Sequence, residues 1–183
     1  MRTRRSASVN ESSNTPVAVV LGWNLSPDDV QRFSLPSQPK KTAADTADMR
    51  NRILLVEDNP ADVGLVREAL QEHQVPCELI VISNGERAIQ FIEELDGEAS
   101  ACPQLVILDL NLPKKPGREV LKSMRASVPC AHVPIIVLTS SDNQKDRVEA
   151  ARLGASRYIR KPSRLAEFLS LGGVFKEILE SQP

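Results

Sequence analysis

Four times between Arg52 and Thr139 the chain passes through a run of purely apolar residues: Ile53-Leu54-Leu55-Val56, Leu79-Ile80-Val81-Ile82, Leu105-Val106-Ile107-Leu108 and Ile135-Ile136-Val137-Leu138. None alternates with polar residues, so each suits a strand covered on both faces, and each is too short for a helix. Strands of that kind belong to parallel sheets, which need a crossover, usually a helix, between one strand and the next. The third run constrains function as well as fold. It ends in Asp109, and Pro113, Pro116 and Gly117 then force a loop. Ligands of open α/β sheets bind outside the carboxyl ends of the strands, and Asp109 stands at such an end.

The intervening segments carry the helical period. Asn59-Pro60 reads as an N-cap and first helical residue. Val63, Val66, Ala69 and Leu70 then mark the inner face of a helix ending near His73. Ser83-Asn84-Gly85 turns the chain into a second helix with Ala88, Ile89, Ile92 and Leu95, and a third runs from about Arg118 with Val120, Leu121 and Met124 inward. Asp142 is expected to cap a fourth, carrying Val148, Ala151 and Leu153 and ended by Gly154. Arg157-Tyr158-Ile159-Arg160 makes a short fifth strand closed by Lys161-Pro162. The last helix shows Leu165, Phe168, Leu169, Phe175, Ile178 and Leu179, with Gly172-Gly173 a weak point inside it. Five strand–helix units in alternation predict an α/β fold: a doubly wound five-stranded parallel sheet, flavodoxin-like order 2-1-3-4-5, helices on both faces.

Residues 1–50 differ. They are rich in Ser, Thr, Asn, Pro and Ala without a sustained period, so disorder is expected there, with Val17–Trp23 the one stretch able to pair or dock. The alternative is an over-extended start, since Met49 stands just before the regular pattern. The division is therefore an N-terminal extension, 1–50, and one folded domain, 51–183.

A net charge of −1 gives no electrostatic case for nucleic acid, and one Trp, one Tyr and four Phe are too few for a base-stacking surface. No run approaches the roughly 20 apolar residues of a membrane span. Cys77, Cys102 and Cys130 match neither a disulfide framework nor a zinc spacing, so they are expected to be idle thiols of a cytoplasmic protein, and His73 and His132 are assigned to no metal.

In the predicted order, the ends of strands one and three lie side by side, which brings Glu57, Asp58 and Asp109 into one pocket. Three carboxylates that close repel one another, and a hard divalent cation resolves the conflict. Magnesium (or manganese) would be bound by Asp58 and Asp109 with the backbone carbonyl of Asn111, and by Glu57 through water. Thr139 at the end of strand four offers a hydroxyl, and Lys161 at the end of strand five an ammonium. A nucleophilic acid, a cation, a donor and a fixed positive group are the parts of a site that accepts a phosphoryl group on a carboxylate. Singly each residue has a plain structural reading: Asp109 a turn residue, Lys161 solvated, Glu57-Asp58 surface charge. The specificity lies in the set.

From about Arg52 to Ser181 the chain resembles the receiver domain of two-component response regulators. Leu54-Leu55-Val56-Glu57-Asp58-Asn59, Leu108-Asp109-Leu110-Asn111-Leu112-Pro113, Val137-Leu138-Thr139-Ser140 and Tyr158-Ile159-Arg160-Lys161-Pro162 carry the resemblance. Asp109 through Gly117 is most similar to the small stand-alone regulators paired with phytochrome-type histidine kinases. The resemblance implies Asp109 as the phosphorylated residue, Glu57 and Asp58 as magnesium acids, Lys161 as the phosphate-contacting lysine and Thr139 as the switch hydroxyl. Tyr158 becomes the switch aromatic, whose plain alternative is a half-buried ring under helix four. Asn111, Ser140 and Ser141 would tune the site. Ser140 departs from the smaller residue frequent there, and Pro116 from the usual acid.

The function implied is that of a single-domain regulator in phosphorelay signal transduction, without a DNA-binding output and not an enzyme beyond its own phosphorylation and autodephosphorylation. Its partner would be a sensor histidine kinase. A homodimer would form through the face of the fourth helix, fifth strand and fifth helix. Two rivals fit less well. An aspartyl-phosphate phosphohydrolase needs a second acid where Asn111 stands. An FMN binder needs a phosphate loop where Glu57-Asp58-Asn59-Pro60 would repel phosphate.

Overall fold

The computed structural model describes residues 30–35, 51–95 and 101–182. The expectations for Val17–Trp23 and for Met49 lie outside the described residues. In chain order the elements are β1 (Val30–Leu35), β2 (Asn51–Val56), α1 (Pro60–Glu72), β3 (Cys77–Ile82), α2 (Gly85–Glu94), β4 (Leu105–Leu108), α3 (Gly117–Ala126), β5 (Ile135–Thr139), α4 (Gln144–Arg152), β6 (Arg157–Arg160), α5 (Leu165–Leu169) and α6 (Leu171–Glu180).

The sheet order is β1-β3-β2-β4-β5-β6. From β3 to β6 the pairings are parallel, and counted from β2 they reproduce the expected order 2-1-3-4-5. The four apolar runs are buried end to end because alternate residues serve opposite faces. Ile53, Leu55, Leu79, Ile107 and Leu138 pack under α1, α5 and α6, against Val66, Leu70, Phe168 and Phe175. Leu54, Val56, Ile80, Leu108 and Val137 pack on the other side, against Phe91 and Ile92 of α2, Val120 and Met124 of α3 and Ala150 of α4.

The sheet has six strands, not five, and is mixed. Val30–Leu35, expected within an unstructured N-terminal segment, forms β1 and pairs antiparallel with β3, Val30 opposite Ile82 and Leu35 opposite Cys77. Its alternation is disguised. Leu35 and Phe33 pack towards one core cluster and Val30 towards the other, while Arg32 pairs with Glu78 at 3.1 Å. The Arg67 guanidinium lies 4.0 Å over the Phe33 ring, a cation–π contact that ties β1 to α1.

Helix starts follow the sequence with one shift. The Asn59 side chain accepts from the Ala61 amide and Pro60 opens α1, as read. Asn143, not Asp142, caps α4, accepting from Lys145, while Asp142 pairs with Arg160 at the surface. Val148, expected inward, is exposed, and Ala150 is the buried residue of α4. The last helix is two. It breaks at Ser170, ahead of the glycine pair, and Gly172 is there for closeness: a Cβ on it would lie 2.1 Å from the Ala69 carbonyl oxygen of α1.

The expectation of three idle thiols is corrected. Cys102 and Cys130 form a disulfide with their Cα atoms 5.7 Å apart, joining the approach to β4 to the approach to β5. Their spacing gave no clue because packing of α3 against the sheet brings them together. Cys77 is free and buried, and burial pushes its thiol up to about 12.

Candidate functional site

Strand pairing places the site. The Asp109 amide donates to the Val56 carbonyl at 3.0 Å, so Asp109 lies beside Glu57, where β2 ends. The Lys161 amide donates to the Thr139 carbonyl at 2.8 Å, which sets the lysine just past the tip of β5. The loop after β4 is folded back tightly: the Gly117 amide donates to the Leu110 carbonyl at 3.0 Å, and a Cβ at Gly117 would lie 2.1 Å from the Asp109 carbonyl oxygen. No other residue fits there without moving the backbone of Asp109.

Four of the expected acids and bases meet. One carboxylate oxygen from each of Glu57, Asp58 and Asp109 lies within 4.8 Å of the others. Glu57 and Asp109 are buried, while Asp58 is exposed at the mouth. The Lys161 ammonium reaches in to donate to Glu57 Oε2 at 2.7 Å and to Asp109 Oδ2 at 2.7 Å. A third bond was not foreseen: Lys161 Nζ also donates to Asp62 Oδ2 at 2.9 Å. Asp62 lies in the first turn of α1, three residues after the cap Asn59, and that position was the one available signal. An acid in a first turn otherwise reads as a partner of the helix dipole.

The electrostatics follow from crowding. Burial pushes the Glu57 carboxyl up to about 7, the bond and charge of Lys161 pulling it down and the Asp109 charge adding to the rise. Burial alone would lower the Lys161 ammonium, but its bonds to Asp109, Glu57 and Asp62 outweigh that and raise it. Four carboxylates thus face one ammonium, and a hard cation with oxygen preference fits the remaining charge. Glu57, Asp58 and Asp109 are the residues placed to hold it.

The other expected residues are distributed around this centre. Thr139 is buried, and its Oγ1 accepts from Asn111 Nδ2 at 3.4 Å. Asn111 Nδ2 also lies 3.4 Å from Ser140 Oγ, and the Asn111 amide donates to Asp109 Oδ1 at 3.0 Å. Ser141 Oγ donates to Asp146 Oδ2 in the first turn of α4. Tyr158 is half-buried, its hydroxyl donating to the Ser141 carbonyl at 3.1 Å, with the Arg147 guanidinium 4.9 Å from its ring centroid. Tyr158 therefore joins the site through the Thr139–Ser141 segment and does not touch the carboxylates directly.

A doubly wound sheet whose strand tips gather carboxylates, a lysine and a buried threonine defines a class of α/β domains with a cation-and-anion pocket at the switch point. The chain belongs to the response regulator receiver domain family, whose sequence model matches residues 53–171. It is 38% identical over 120 residues to the response regulator Rcp1 of Synechocystis sp., a match covering 65% of this chain and 82% of Rcp1. The crystal structure of the phosphorylated cyanobacterial phytochrome response regulator RcpA aligns with a TM-score of 0.65 at 36% identity, over 73% of this chain and 96% of that one. The Mn(2+)-bound form of Rcp1 aligns with a TM-score of 0.65 at 36% identity, over 73% and 97%. These relatives agree with the finer resemblance to phytochrome-associated regulators read from Asp109 to Gly117.

Proposed function

We propose that the domain formed by residues 51–183 is a phosphorylation switch that takes a phosphoryl group on Asp109 from the phosphohistidine of a sensor kinase. The observation that carries this reading is the setting of Asp109: its carboxylate is buried, bonded to Lys161 at 2.7 Å, and clustered with Glu57 and Asp58. In the transfer a P–O bond forms to Asp109 as the P–N bond of the donor breaks, and the imidazole leaves with a proton. Asp58, Asp109 and the Asn111 carbonyl, with Glu57 through water, would hold magnesium or manganese, which would supply charge neutralisation for the phosphoryl oxygens. Lys161 supplies a fixed positive charge to the same oxygens. Asn111, Ser140 and Ser141 border the site and set water access, hence the autodephosphorylation rate.

The output is a population shift. A phosphoryl group on Asp109 draws the Thr139 hydroxyl towards it, and the Tyr158 ring gives up its bond to the Ser141 carbonyl and turns inward. The surface of α4, β6 and α5 changes with it. Exposed Val148 on α4 and Leu165 on α5 are the apolar residues available there for a second copy of the chain. The kinase is of the phytochrome type, as the naming of RcpA suggests. Among the described residues no helix is long and apolar enough to cross a membrane. We place the protein in the cytoplasm, where burial of Cys102 and Cys130 shields their bond from reductants.

The test is incubation of the purified chain with acetyl phosphate and magnesium. A base-labile adduct of about +80 Da, the added HPO₃, is expected on the wild type and absent from Asp109→Asn. Labelling that survives in Asp109→Asn would move the acceptor elsewhere, and no labelling of the wild type by any donor would end this reading.

A further inference from the structure

Lys161 has three N–H donors, and the structure spends all of them on carboxylates: Glu57 at 2.7 Å, Asp109 at 2.7 Å and Asp62 at 2.9 Å. These acceptors are not equivalent. Glu57 and Asp109 belong to the cluster whose oxygens fit one cation; Asp62 does not. The Asp62 carboxylate is fixed by α1 and by the Asn59 side chain, whose Nδ2 donates to its Oδ2 at 3.1 Å. Its side chain is only 20% exposed, and Lys161 is its one cationic partner among the described residues.

A cation held by Glu57, Asp58 and Asp109 draws off charge from two of the three bonds on Lys161. The third, to Asp62, is left at full strength. A phosphoryl group on Asp109 must then win the ammonium from Asp62, against the repulsion between two anions sharing one cation. We propose that Asp62 is a positioning residue that holds Lys161 back from the phosphoryl group and so limits how tightly the activated state is held. This rests on the phosphoacceptor reading of Asp109 and adds to it a restraint on the lysine. In a metal-free site Asp62 keeps the ammonium in place. In an occupied site it is the competitor.

The test is equilibrium binding of beryllofluoride, as an analogue of the phosphoryl group, by calorimetry or fluorine NMR on the full chain. Magnesium is brought to a concentration saturating for each variant, and magnesium affinity is measured separately. Asp62→Asn keeps the shape and an oxygen for Lys161 but removes the charge. It should bind beryllofluoride roughly tenfold more tightly than the wild type, the scale of one charge-assisted hydrogen bond, while magnesium binds equally or less tightly. Asp62→Ala should move the same way, and Asp62→Glu, which keeps the charge, should return towards the wild type. A residue that merely stabilises α1 would leave the anion affinity of the folded variants unchanged. Unchanged or weaker beryllofluoride binding in Asp62→Asn and Asp62→Ala overturns the proposal and leaves the phosphoacceptor reading standing. Failure of the wild type to bind beryllofluoride at saturating magnesium, with no labelling by acetyl phosphate, removes both.

Discussion

Among the described residues Lys161 is the single cation bonded to the buried acids Glu57 and Asp109, with its side chain only 11% exposed, and the consequence is measurable. Removing one partner of a buried ionic group leaves the others uncompensated, at a cost of about 3–5 kcal/mol. Lys161→Ala should therefore lower the unfolding free energy by about that amount in chelator-treated buffer. Millimolar magnesium should restore more stability to the variant than it adds to the wild type, as denaturant melts with and without the metal would report. An equal magnesium effect on both proteins would mean that the lysine and the metal do not share the same carboxylates. Glu57, Asp58, Asp109 and Thr139 were legible because apolar runs announce strand ends, Lys161 because Lys161-Pro162 closes a short fifth strand, and strand ends of a doubly wound sheet converge. Asp62 was not, because its partner is 99 residues away in the chain and an acid in a first helical turn already has a local explanation. Cys102 and Cys130 were missed for a like reason: only the packed fold brings them within bonding distance.

The pair α5 and α6 shows how an element can be read correctly and explained wrongly. The apolar spacing from Leu165 to Leu179 located the helical segment, and Gly172-Gly173 was visible as an interruption. The interruption falls at Ser170, and Gly172 instead permits α6 to rest on α1, where a Cβ would come within 2.1 Å of the Ala69 carbonyl oxygen and 2.5 Å of His73 Nδ1. At Gly173 the nearest atom to such a Cβ is His73 Nε2 at 3.3 Å. Gly172→Ala should cost about 1–3 kcal/mol through overpacking against backbone. Gly173→Ala should be near neutral or gain from helix propensity. Parallel thermal melts would separate them, and equal effects at the two positions would show that α6 moves away from α1 freely. On α4 the period misled, because Val148 is the apolar residue and small Ala150 is the buried one. A helix that sits at the sheet's rim buries little, and its apolar residue is free to serve another surface.

For the whole molecule, the sheet is closed at one margin by a strand outside the span matched by the family model. The five parallel strands were legible from Ile53 onwards because buried strands advertise themselves by unbroken apolarity. β1 was not, since an edge strand buries little: only Leu35 of its six residues is fully buried, and Arg32 sits among them. Truncation before Asn51 should remove the Leu35 and Phe33 packing, the Arg67 cation–π contact and the Arg32–Glu78 pair, lowering stability by about 2–4 kcal/mol on the burial of two such side chains. It should also bare the hydrogen-bonding edge of β3, and exposed edges recruit other strands. Melting and sedimentation velocity of the truncated chain should show a lower midpoint and concentration-dependent association, and a monomer as stable as the full chain would make β1 dispensable.

The antiparallel register of β1 also decides where attachments emerge. Val30 lies opposite Ile82, whose carbonyl receives the Glu57 amide, so β1 begins at the end of the sheet that holds the acids. Gln182 bonds to the Gln104 carbonyl, just ahead of β4 and at the opposite end of that strand from Asp109. A fluorophore, affinity handle or surface tether meant to leave the acceptor pocket unobstructed belongs on the carboxyl end.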